Sequence, residues 1–466
     1  MDLARLFYPK SIAVIGASPN VAGGKNPYFQ VLKAAGYKGK LYPVNPSHKE
    51  LNGTRVYQSI EDLPEGVDLA IVQVPVRKAL DTITSAAKKG IRFVHFFTSG
   101  FSEIGDVELE QAMIQQAHAA GTRIVGPNCV GVYCYESRVT FGGIPDQDGP
   151  GNVGYLGQSG GVTLNFRRMA ESRKLGLNKM ISYGNQIDLH AEDYIQYFGR
   201  DDQIKAIAVY IEDVKDGRRF VEVVSETSRR KPVIVLRGGT TELGARAAAS
   251  HTGAMCGSQQ LFSSVLRQCG AIEVQTLDQL LDVLALAVSR RIPSGNRLGF
   301  LGAGGGMAVL STDQIAFHGF SMPELEESTK DLISQKIPPI NTSVENPVDL
   351  GAYGRSFEIM NHSMRAMDTD RNLDVIVPYF SVEYVYTMTG EDLAERAESM
   401  AAAIKDMSKP SLPVFASYAE NDLRSEEARI ALFSAFRKAG LPIYRSVEEA
   451  VYAMKKMVEW QSRRRE

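Results

Sequence analysis

The sequence predicts an α/β protein made of three doubly wound parallel sheets that follow one another along the chain. Short, almost continuous apolar runs alternate with stretches of helical length, and the first strand of each set leads into a glycine-rich turn. Parallel strands have this composition because helices cover both faces of their sheet. The chain has 466 residues, 44% hydrophobic and 23% charged, which is globular in composition and too long for a single core.

The first set predicts a Rossmann-like domain over residues 1–130. Its apolar runs are residues 11–15, 41–44, 69–74, 93–97 and 123–125. Residues 131–152 are rich in Gly and Pro and show little periodicity, which indicates a linker.

The second set covers residues 153–292 and the third covers residues 296–466, separated by a Pro-Ser-Gly turn. The apolar runs of the second set are residues 153–156, 180–182, 204–211, 232–236 and 271–274, and those of the third are residues 298–301, 373–378 and 412–415. Each set predicts a further doubly wound sheet.

Composition excludes several classes of function. The net charge of -2 gives no basic field for nucleic acid. The chain contains no run of about 18 apolar residues and no charged leader before an apolar stretch, so we expect no membrane segment. Its four cysteines show no paired C-x-x-C spacing for zinc, so we expect no metal site. Their small number in so long a chain indicates a reducing compartment, and with no leader or apolar span we expect a cytoplasmic location.

His251 lies in a run of very small side chains that extends from Gly244 to Ala254. A packed core favours larger apolar groups and a surface helix favours charges, so this run predicts a loop that moves or fits closely against a ligand. With an ordinary pKa of about 6.5, imidazole offers a free nitrogen near neutral pH that can attack phosphorus. The alternative is an ordinary surface histidine.

In doubly wound sheets, ligands bind beyond the carboxyl ends of strands, where the glycine-rich turns lie. The first turn, Gly16-Ala17-Ser18, departs from the G-x-G-x-x-G pattern, and Lys25 is followed by Asn26 and not by the Ser or Thr of a P-loop. These departures disfavour a hydride-transfer cofactor. The small residues of the turn still let backbone amides approach a phosphate, so we expect a nucleotide-bearing ligand there, with a purely structural turn as the alternative.

The turns of the other two sets resemble anion sites at helix N-termini. They contain Ser159, Gly160 and Gly161 in the second set and Gly304, Gly305 and Gly306 in the third. Unpaired amides and the helix dipole favour phosphate at such positions. Two helix starts of this kind could face one anion from opposite sides.

The second turn also satisfies G-x-S-x-G, the nucleophile pattern of serine hydrolases. Ser159 would then be the nucleophile, with Asp213 or Asp216 and His251 following in the order that those enzymes need. This alternative stays open at the level of the residues.

Glu212 follows the apolar run 207–211 and is therefore expected at the carboxyl end of a strand. A carboxylate there could hydrogen-bond one ring nitrogen of His251, leave the other free to attack, and stabilise positive charge on the ring. The alternative is a solvated acid beside Asp213 and Lys215.

Taken together, four motifs resemble the α subunit of the nucleoside-diphosphate-forming acyl-CoA synthetases of the acetate–CoA ligase type, relatives of succinyl-CoA ligase. These motifs are the G-x-R-x-x-x-S-H-T-G run around His251, residues 157–161, residues 126–129 and residues 210–212. The resemblance spans the chain and implies a CoA-binding Rossmann-like domain followed by two flavodoxin-like domains. It also implies that acyl-CoA and phosphate give an acyl phosphate, which phosphorylates a histidine that then phosphorylates ADP or GDP.

The resemblance also implies roles for individual residues. His251 resembles the phosphorylated histidine and Glu212 its orienting carboxylate, while the turns at residues 159–161 and 304–306, with residues 346–351, resemble the phosphate-binding elements. The residues that resemble the CoA site are Gly16, Ala17, Ser18, Lys25, Asn45, Val74, Pro75, Ser99, Gly100, Asn128 and Cys129.

The family's nucleotide site lies in an ATP-grasp unit, and three α/β domains leave no stretch of this sequence to form one. The resemblance therefore implies a separate ATP-grasp β subunit in an α2β2 assembly, with Mg²⁺ bound together with the nucleotide on that subunit. The second alternative is a CoA-binding regulatory module without catalysis.

Overall fold

The computed structural model describes residues 2–19, 27–145, 147–252, 258–383, 393–419 and 421–465, except for the side chains of residues 248–252 and 465. The chain forms two compact units, Met1–Ser172 with Gly176–Gln275, and Arg173–Leu175 with Thr276–Glu466. No helix within the described ranges combines the length and the hydropathy that a membrane crossing requires.

The first sheet is parallel and five-stranded, in the order β2-β1-β5-β6-β7. The strands of this region are β1 (Ser11–Ile15), β2 (Lys40–Val44), β3 (Glu50–Leu51), β4 (Thr54–Arg55), β5 (Leu69–Val72), β6 (Phe93–Phe96) and β7 (Arg123–Val125). The helices are α1 (Ala4–Phe7), α2 (Tyr28–Ala34), α3 (Ala79–Lys88) and α4 (Val107–Ala119), with 3₁₀ turns at Val76–Lys78 and Ser102–Ile104. Strands β3 and β4 form a separate antiparallel pair.

All five residues of β1 are buried, as the continuous apolar run predicts. The chain passes from β1 to β2 on one side and then returns to β5 on the other side of β1. The switch point between β1 and β5 is therefore the position where a ligand of this sheet is expected. The predicted parallel α/β architecture is confirmed.

The second sheet has six strands in the order β13-β12-β11-β9-β10-β8. They are β8 (Gly131–Cys134), β9 (Val153–Gly157), β10 (Leu177–Ser182), β11 (Ala206–Ile211), β12 (Val233–Arg237) and β13 (Ile272–Val274). The helices are α5 (Gly160–Ser172), α6 (Ala191–Arg200), α7 (Gly217–Ser228), α8 (Glu242–Thr252) and α9 (Gln259–Gln268). Its switch point lies between β9 and β11, and both of these strands lead into predicted site residues.

Part of the segment predicted as a linker belongs to this sheet. Strand β8 pairs antiparallel with β10, and all four of its residues are buried. The prediction of a linker was wrong for these residues because neighbouring Gly and Pro residues obscured a short apolar run that forms an edge strand.

The third sheet is parallel, in the order β15-β14-β16-β17. Its strands are β14 (Leu298–Gly302), β15 (Val348–Asp349), β16 (Val375–Ser381) and β17 (Val414–Ala416). The helices of the second unit are α10 (Leu277–Ala287), α11 (Gly305–Phe317), α12 (Glu327–Ser334), α13 (Phe357–Thr369), α14 (Leu393–Lys405), α15 (Leu423–Lys438) and α16 (Val447–Arg465), with a 3₁₀ turn at Gly351–Arg355. The core of this unit includes Met364, Phe380 and Phe436.

Helix α10 precedes the domain boundary predicted near residue 292, yet it groups with the second unit and packs along α16. It is apolar on most sides, with Leu280, Leu281, Val283 and Leu284 all buried. A helix of this composition requires partners around most of its circumference.

Candidate active site

Ser159 lies between β9 and α5 and caps the start of that helix. Its Oγ accepts a hydrogen bond from the backbone N–H of Val162 at 3.3 Å, and its carbonyl accepts one from the N–H of Thr163 at 3.0 Å. Serine is among the preferred N-cap residues because its short side chain can accept from such an amide. The sequence prediction of a helix start at Gly160 and Gly161 is confirmed, and the positive end of the α5 dipole lies at this turn.

Glu212 follows β11 directly and is 6% exposed. Its carboxylate Oε1 accepts a hydrogen bond from the hydroxyl of Tyr210 at 3.0 Å. Its backbone N–H donates to Oε1 of Gln158 at 2.8 Å, and the N–H of Asp213 donates to the same oxygen at 3.1 Å. The structure therefore brings Glu212 and the turn before α5 together at the switch point of the second sheet.

Asp213, a candidate acid for a serine hydrolase, has its carboxylate bound by other groups. Oδ1 accepts from the side-chain amides of Gln158 at 2.6 Å and Gln186 at 2.5 Å, and Oδ2 lies 2.8 Å from Nζ of Lys215. The carboxylate has a structural partner on each oxygen, which leaves it poorly suited to orient a catalytic histidine.

The other two hydrolase candidates also have structural roles. Asp216 caps α7, because its Oδ1 accepts from the N–H of Arg219 at 3.0 Å. Ser159 is not among the described residues with positive φ, so its backbone lacks the strain of a sharp nucleophile turn. Its hydroxyl instead faces the first turn of α5.

The segment around His251 differs from the predicted loop. The backbone from Glu242 through Thr252 is the helix α8, which includes His251 as its penultimate residue. The prediction was wrong because the alanines of the run are strong helix formers, and the acidic Glu242 in the first turn complements the helix dipole. The His251 side chain lies outside the described part of the protein, so its contact with Glu212 stays a prediction.

The first part of the predicted CoA site lies at the switch point between β1 and β5. Gly16 has φ of 86°, and a Cβ on it would lie 3.1 Å from the carbonyl oxygen of Gln73. The Asn45 side chain donates to the carbonyl of Ala17 at 2.7 Å, which ties the end of β2 to this turn. The carbonyl of Ser18 accepts from the Gln30 side chain at 2.9 Å. Lys25 lies outside the described residues.

The remaining predicted CoA residues follow β5, β6 and β7. The Thr98 hydroxyl donates to the carbonyl of Val74 at 2.6 Å, and the N–H of Asn128 donates to the carbonyl of Thr98 at 3.0 Å. Pro75 precedes the 3₁₀ turn that begins at Val76. These bonds connect the loops after the three strands at one edge of the sheet.

Ser99 and Gly100 belong to the same group of loops. Gly100 has φ of 105°, and its N–H donates to Oε1 of Glu103 at 2.5 Å. Cys129 is 3% exposed, and its Sγ lies 3.8 Å from the carbonyl of Phe96. Burial raises the pKa of the Cys129 thiol well above its ordinary value, so this thiol is protonated and unreactive near neutral pH.

In the second unit, the glycine turn after β14 is capped by an acid. Oδ1 of Asp349 accepts from the N–H of Gly304 and from the N–H of Gly351, both at 2.9 Å. A Cβ on Gly305 would lie 3.0 Å from Oδ2 of the same carboxylate. Gly306 follows in the first turn of α11, which confirms the predicted helix start. Helices α5 and α11 belong to different compact units, so their joint binding of one anion stays a prediction.

Three polar residues of the site had no role assigned from sequence. Gln158, Gln186 and Tyr210 form the hydrogen bonds that surround Glu212 and Asp213. Strand periodicity could have identified Tyr210, because residues two apart lie on one face of a strand. The amides could not be assigned in this way, since their partners are distant in sequence.

Among the described residues, no group of three or more His, Cys, Asp and Glu side chains is arranged to hold a metal ion. Cys129, Cys134 and Cys269 are free and buried, and Cys256 lies outside the described residues.

Two family models match the chain. Residues 10–135 match a CoA binding domain, and residues 150–287 match a succinyl-CoA ligase like flavodoxin domain. These matches cover the first two sheets, including both switch points described above.

Relatives match over nearly the full length. The chain is 35% identical over 461 residues to acetate–CoA ligase (ADP-forming) II subunit alpha of Pyrococcus furiosus, covering 97% of this chain and 96% of that relative. It is 32% identical to acetate–CoA ligase (ADP-forming) II of Archaeoglobus fulgidus, covering 99% of this chain and 68% of that longer relative.

A solved structure shows the same fold. It is the dinucleotide forming acetyl-coenzyme A synthetase 1 of Ca. Korarchaeum cryptofilum in complex with phosphate and ADP, with a TM-score of 0.87 and 32% identity over 100% of this chain and 98% of that chain. These similarities do not favour the hydrolase or the non-catalytic module. The chain therefore belongs to the family of ADP-forming acetate–CoA ligase α subunits and is an acid–CoA ligase.

Proposed function

We propose that this chain, with a partner subunit, converts acyl-CoA, phosphate and ADP reversibly into acid, CoA and ATP, through an acyl phosphate and a phosphohistidine at His251. The observation that carries the proposal is the junction at the second sheet, where Gln158 joins the start of α5 to the backbone of Glu212. This junction supports the proposal because it ties the N-terminus of a helix to the backbone of a residue that is itself buried and carries a carboxylate.

The proposed cycle has three balanced steps. Phosphate attacks the thioester carbonyl, the C–S bond breaks, and CoA leaves as the thiol with an acyl phosphate remaining. A ring nitrogen of His251 then attacks phosphorus, and the acid leaves as its carboxylate. Finally, ADP takes the phosphoryl group and the neutral imidazole returns.

Phosphoryl transfer depends mainly on positioning and on neutralising charge. The amides at Gly160 and Gly161 supply the positive end of α5 to a phosphate. Glu212 stabilises positive charge on the imidazole and holds one ring nitrogen so that the other is free to attack. The start of α11 is proposed to bind an anion in the same way through Gly305 and Gly306, since the N–H of Gly304 is already bonded to Asp349.

CoA is proposed to bind where the loops after β1, β5, β6 and β7 meet. Gly16 allows the turn after β1 to lie close against the loop after β5, because a Cβ on it would lie 3.1 Å from the carbonyl oxygen of Gln73. Cys129 lines this region as a protonated thiol and does not compete with CoA as a nucleophile.

The partner is proposed to be an ATP-grasp β subunit that carries the nucleotide with its Mg²⁺, in an α2β2 assembly. The Pyrococcus relative is named as subunit alpha, and this chain covers only 68% of the Archaeoglobus relative, which has room for a further module. A cytoplasmic location is part of the same proposal and agrees with the free cysteines at Cys129, Cys134 and Cys269.

The test uses the full chain together with its native partner subunit. This complex is incubated with acetyl-CoA and ³²P-labelled phosphate. We expect an acid-labile, base-stable label on the chain that is lost in His251→Ala. His362→Ala is the matched control, because His362 on α13 bonds only the backbone carbonyl of Leu332 in the described structure and should leave labelling intact. Absence of label on the wild-type chain despite intact CoA binding would support the regulatory module.

A further inference from the structure

Gln158 directs its hydrogen bonds to one short segment of the chain. Its backbone N–H donates to the carbonyl of Tyr210 at 3.0 Å, and its side-chain oxygen accepts from the N–H groups of Glu212 and Asp213 at 2.8 and 3.1 Å. Its side-chain nitrogen donates to Oδ1 of Asp213 at 2.6 Å. The residue is 5% exposed, so these bonds form away from bulk water.

The N–H groups of Glu212 and Asp213, from which the Gln158 side chain accepts hydrogen bonds, lie beyond the end of strand β11. Strand β11 ends at Ile211, whose carbonyl makes the last bond to its neighbour by accepting from the N–H of Gly238 at 2.9 Å. The next two amides need other partners, because a buried N–H without one is costly. A single glutamine oxygen satisfies both of them.

Gln158 also immediately precedes Ser159, the cap of α5. One residue therefore joins the phosphate-binding helix start to the backbone that carries the Glu212 carboxylate. The hydroxyl of Tyr210 holds that carboxylate by a separate bond, and Gly238 leaves the space that this hydroxyl occupies, since a Cβ there would lie 2.6 Å from it.

We propose that Gln158 is a positioning residue, whose neutral amide sets the distance between the N-terminus of α5 and the Glu212 carboxylate during phosphohistidine formation. The inference rests on the proposed function, because it concerns the same transfer to His251. The chemistry requires an amide: the oxygen must accept from two N–H groups while the nitrogen donates to a carboxylate.

The first variant is Gln158→Leu, which keeps the approximate volume and removes all side-chain hydrogen bonds. In the labelling experiment with acetyl-CoA and ³²P-labelled phosphate, the single-turnover rate should fall by about 10-fold or more. Wild-type rates in a folded Gln158→Leu protein, with His251→Ala unlabelled, would overturn the role of Gln158 and leave the proposed function standing. An unlabelled wild-type chain would overturn both.

The second variant, Gln158→Glu, does not depend on the stability of the first. A protonated Glu at this position still donates to Asp213, whereas an ionised Glu places two carboxylates in contact. Repulsion between the two raises the pKa at which the pair loses its shared proton. The labelling rate of Gln158→Glu relative to wild type should therefore fall as pH rises from 5 to 8. A ratio that stays constant with pH, measured where both proteins are folded, would overturn the proposal.

Gln147 provides the matched control. Its side chain also joins two backbone segments of this sheet, donating to the carbonyls of Gly149 and Leu177 at 2.7 and 2.9 Å and accepting from the N–H of Leu177 at 3.1 Å. No carboxylate is among these partners. Gln147→Glu should change the midpoint of thermal unfolding without giving a pH-dependent labelling ratio.

Discussion

The hydroxyl of Tyr210 donates a 3.0 Å hydrogen bond to Oε1 of Glu212. The two residues are two positions apart in an extended segment, so their side chains lie on the same face. We therefore expect Tyr210→Phe, which removes only the hydroxyl oxygen, to slow histidine labelling by about 10-fold to 100-fold, since a hydrogen bond to a charged group contributes about 1.5–3 kcal/mol. Single-turnover labelling with ³²P-labelled phosphate measures the effect.

Tyr37→Phe is the control for that variant. The Tyr37 hydroxyl donates to the carbonyl of Pro9 at 2.8 Å in the first sheet's domain, so the same atom is lost at a position away from Glu212. Equal slowing in both variants would show that the Tyr210 bond has no specific role in the transfer.

Gly16→Ala should weaken CoA binding. Its φ of 86° is unfavourable for alanine, and the added Cβ would lie 3.1 Å from the carbonyl oxygen of Gln73 at the switch point of the first sheet. We expect a loss of stability of about 1 kcal/mol from the backbone and a further loss of CoA affinity, measured by calorimetric titration.

Gly36→Ala separates the two effects. Gly36 has φ of 75°, and a Cβ on it would meet nothing within 4 Å. Gly36→Ala should therefore lose about 1 kcal/mol of stability from the unfavourable backbone conformation, but it should bind CoA as the wild type does. Unchanged CoA affinity in Gly16→Ala would contradict the placement of the site at this turn.

His95 should make the protein less stable as the pH falls from about 6.5 to about 4. Burial lowers the pKa of His95 to about 4, outweighing the hydrogen bond between its Nε2 and the carbonyl of Cys129 at 2.9 Å. Above pH 6.5 the ring is neutral in both states. Below pH 6.5 the imidazole of the unfolded chain binds a proton, whereas that of the folded protein stays neutral down to about pH 4. The free energy of unfolding should therefore fall by about 3 kcal/mol over this range. Urea unfolding across this range should show the loss, and His95→Gln should reduce it.

Asp188 joins the first two sheets and should stabilise the protein above pH 4. Burial alone would raise the pKa of its carboxyl, but hydrogen bonds from the Arg123 guanidinium, the N–H of Ile124 and the His118 ring lower the pKa below its ordinary value. The Arg123 Nε lies 2.9 Å from Oδ2, and the His118 Nε2 lies 2.8 Å from Oδ1.

A carboxyl with a lowered pKa stabilises the fold above its unfolded pKa of about 3.9, and this stability is lost as pH falls through the folded pKa. Asp188→Asn leaves Arg123 without its carboxylate and should cost about 3 kcal/mol at pH 7. The difference in unfolding free energy between wild type and variant should shrink below pH 4. A constant difference would show that the charge of Asp188 is not responsible.

The strands could be predicted from the sequence because a strand that is buried on both faces of its sheet is apolar at nearly every position. Residues 207–211 are apolar without interruption, and they form most of β11. The glycine turns at Ser159 and Gly304 were also predictable, since a helix start needs small residues and a cap. Strand β8 was not, because four residues carry too little periodicity to stand out among turns.

The hydrogen bonds of the site depend on distant partners. Gln158 and Gln186 meet at Asp213 only after β9, β10 and β11 have assembled. The segment around His251 was predicted as a loop but is helical, because the helix propensity of its alanines, a purely local property, was given too little weight.

The two glycine-rich helix starts differ in the formal charge of the residue that caps them. The α5 amides meet the neutral hydroxyl of Ser159, whereas the α11 turn meets the carboxylate of Asp349. A phosphate dianion approaching α11 would be repelled by that carboxylate at close range, and one approaching the α5 cap meets no such charge on the capping group. The two turns, similar in sequence, therefore differ in the charge that their own caps present to an incoming anion.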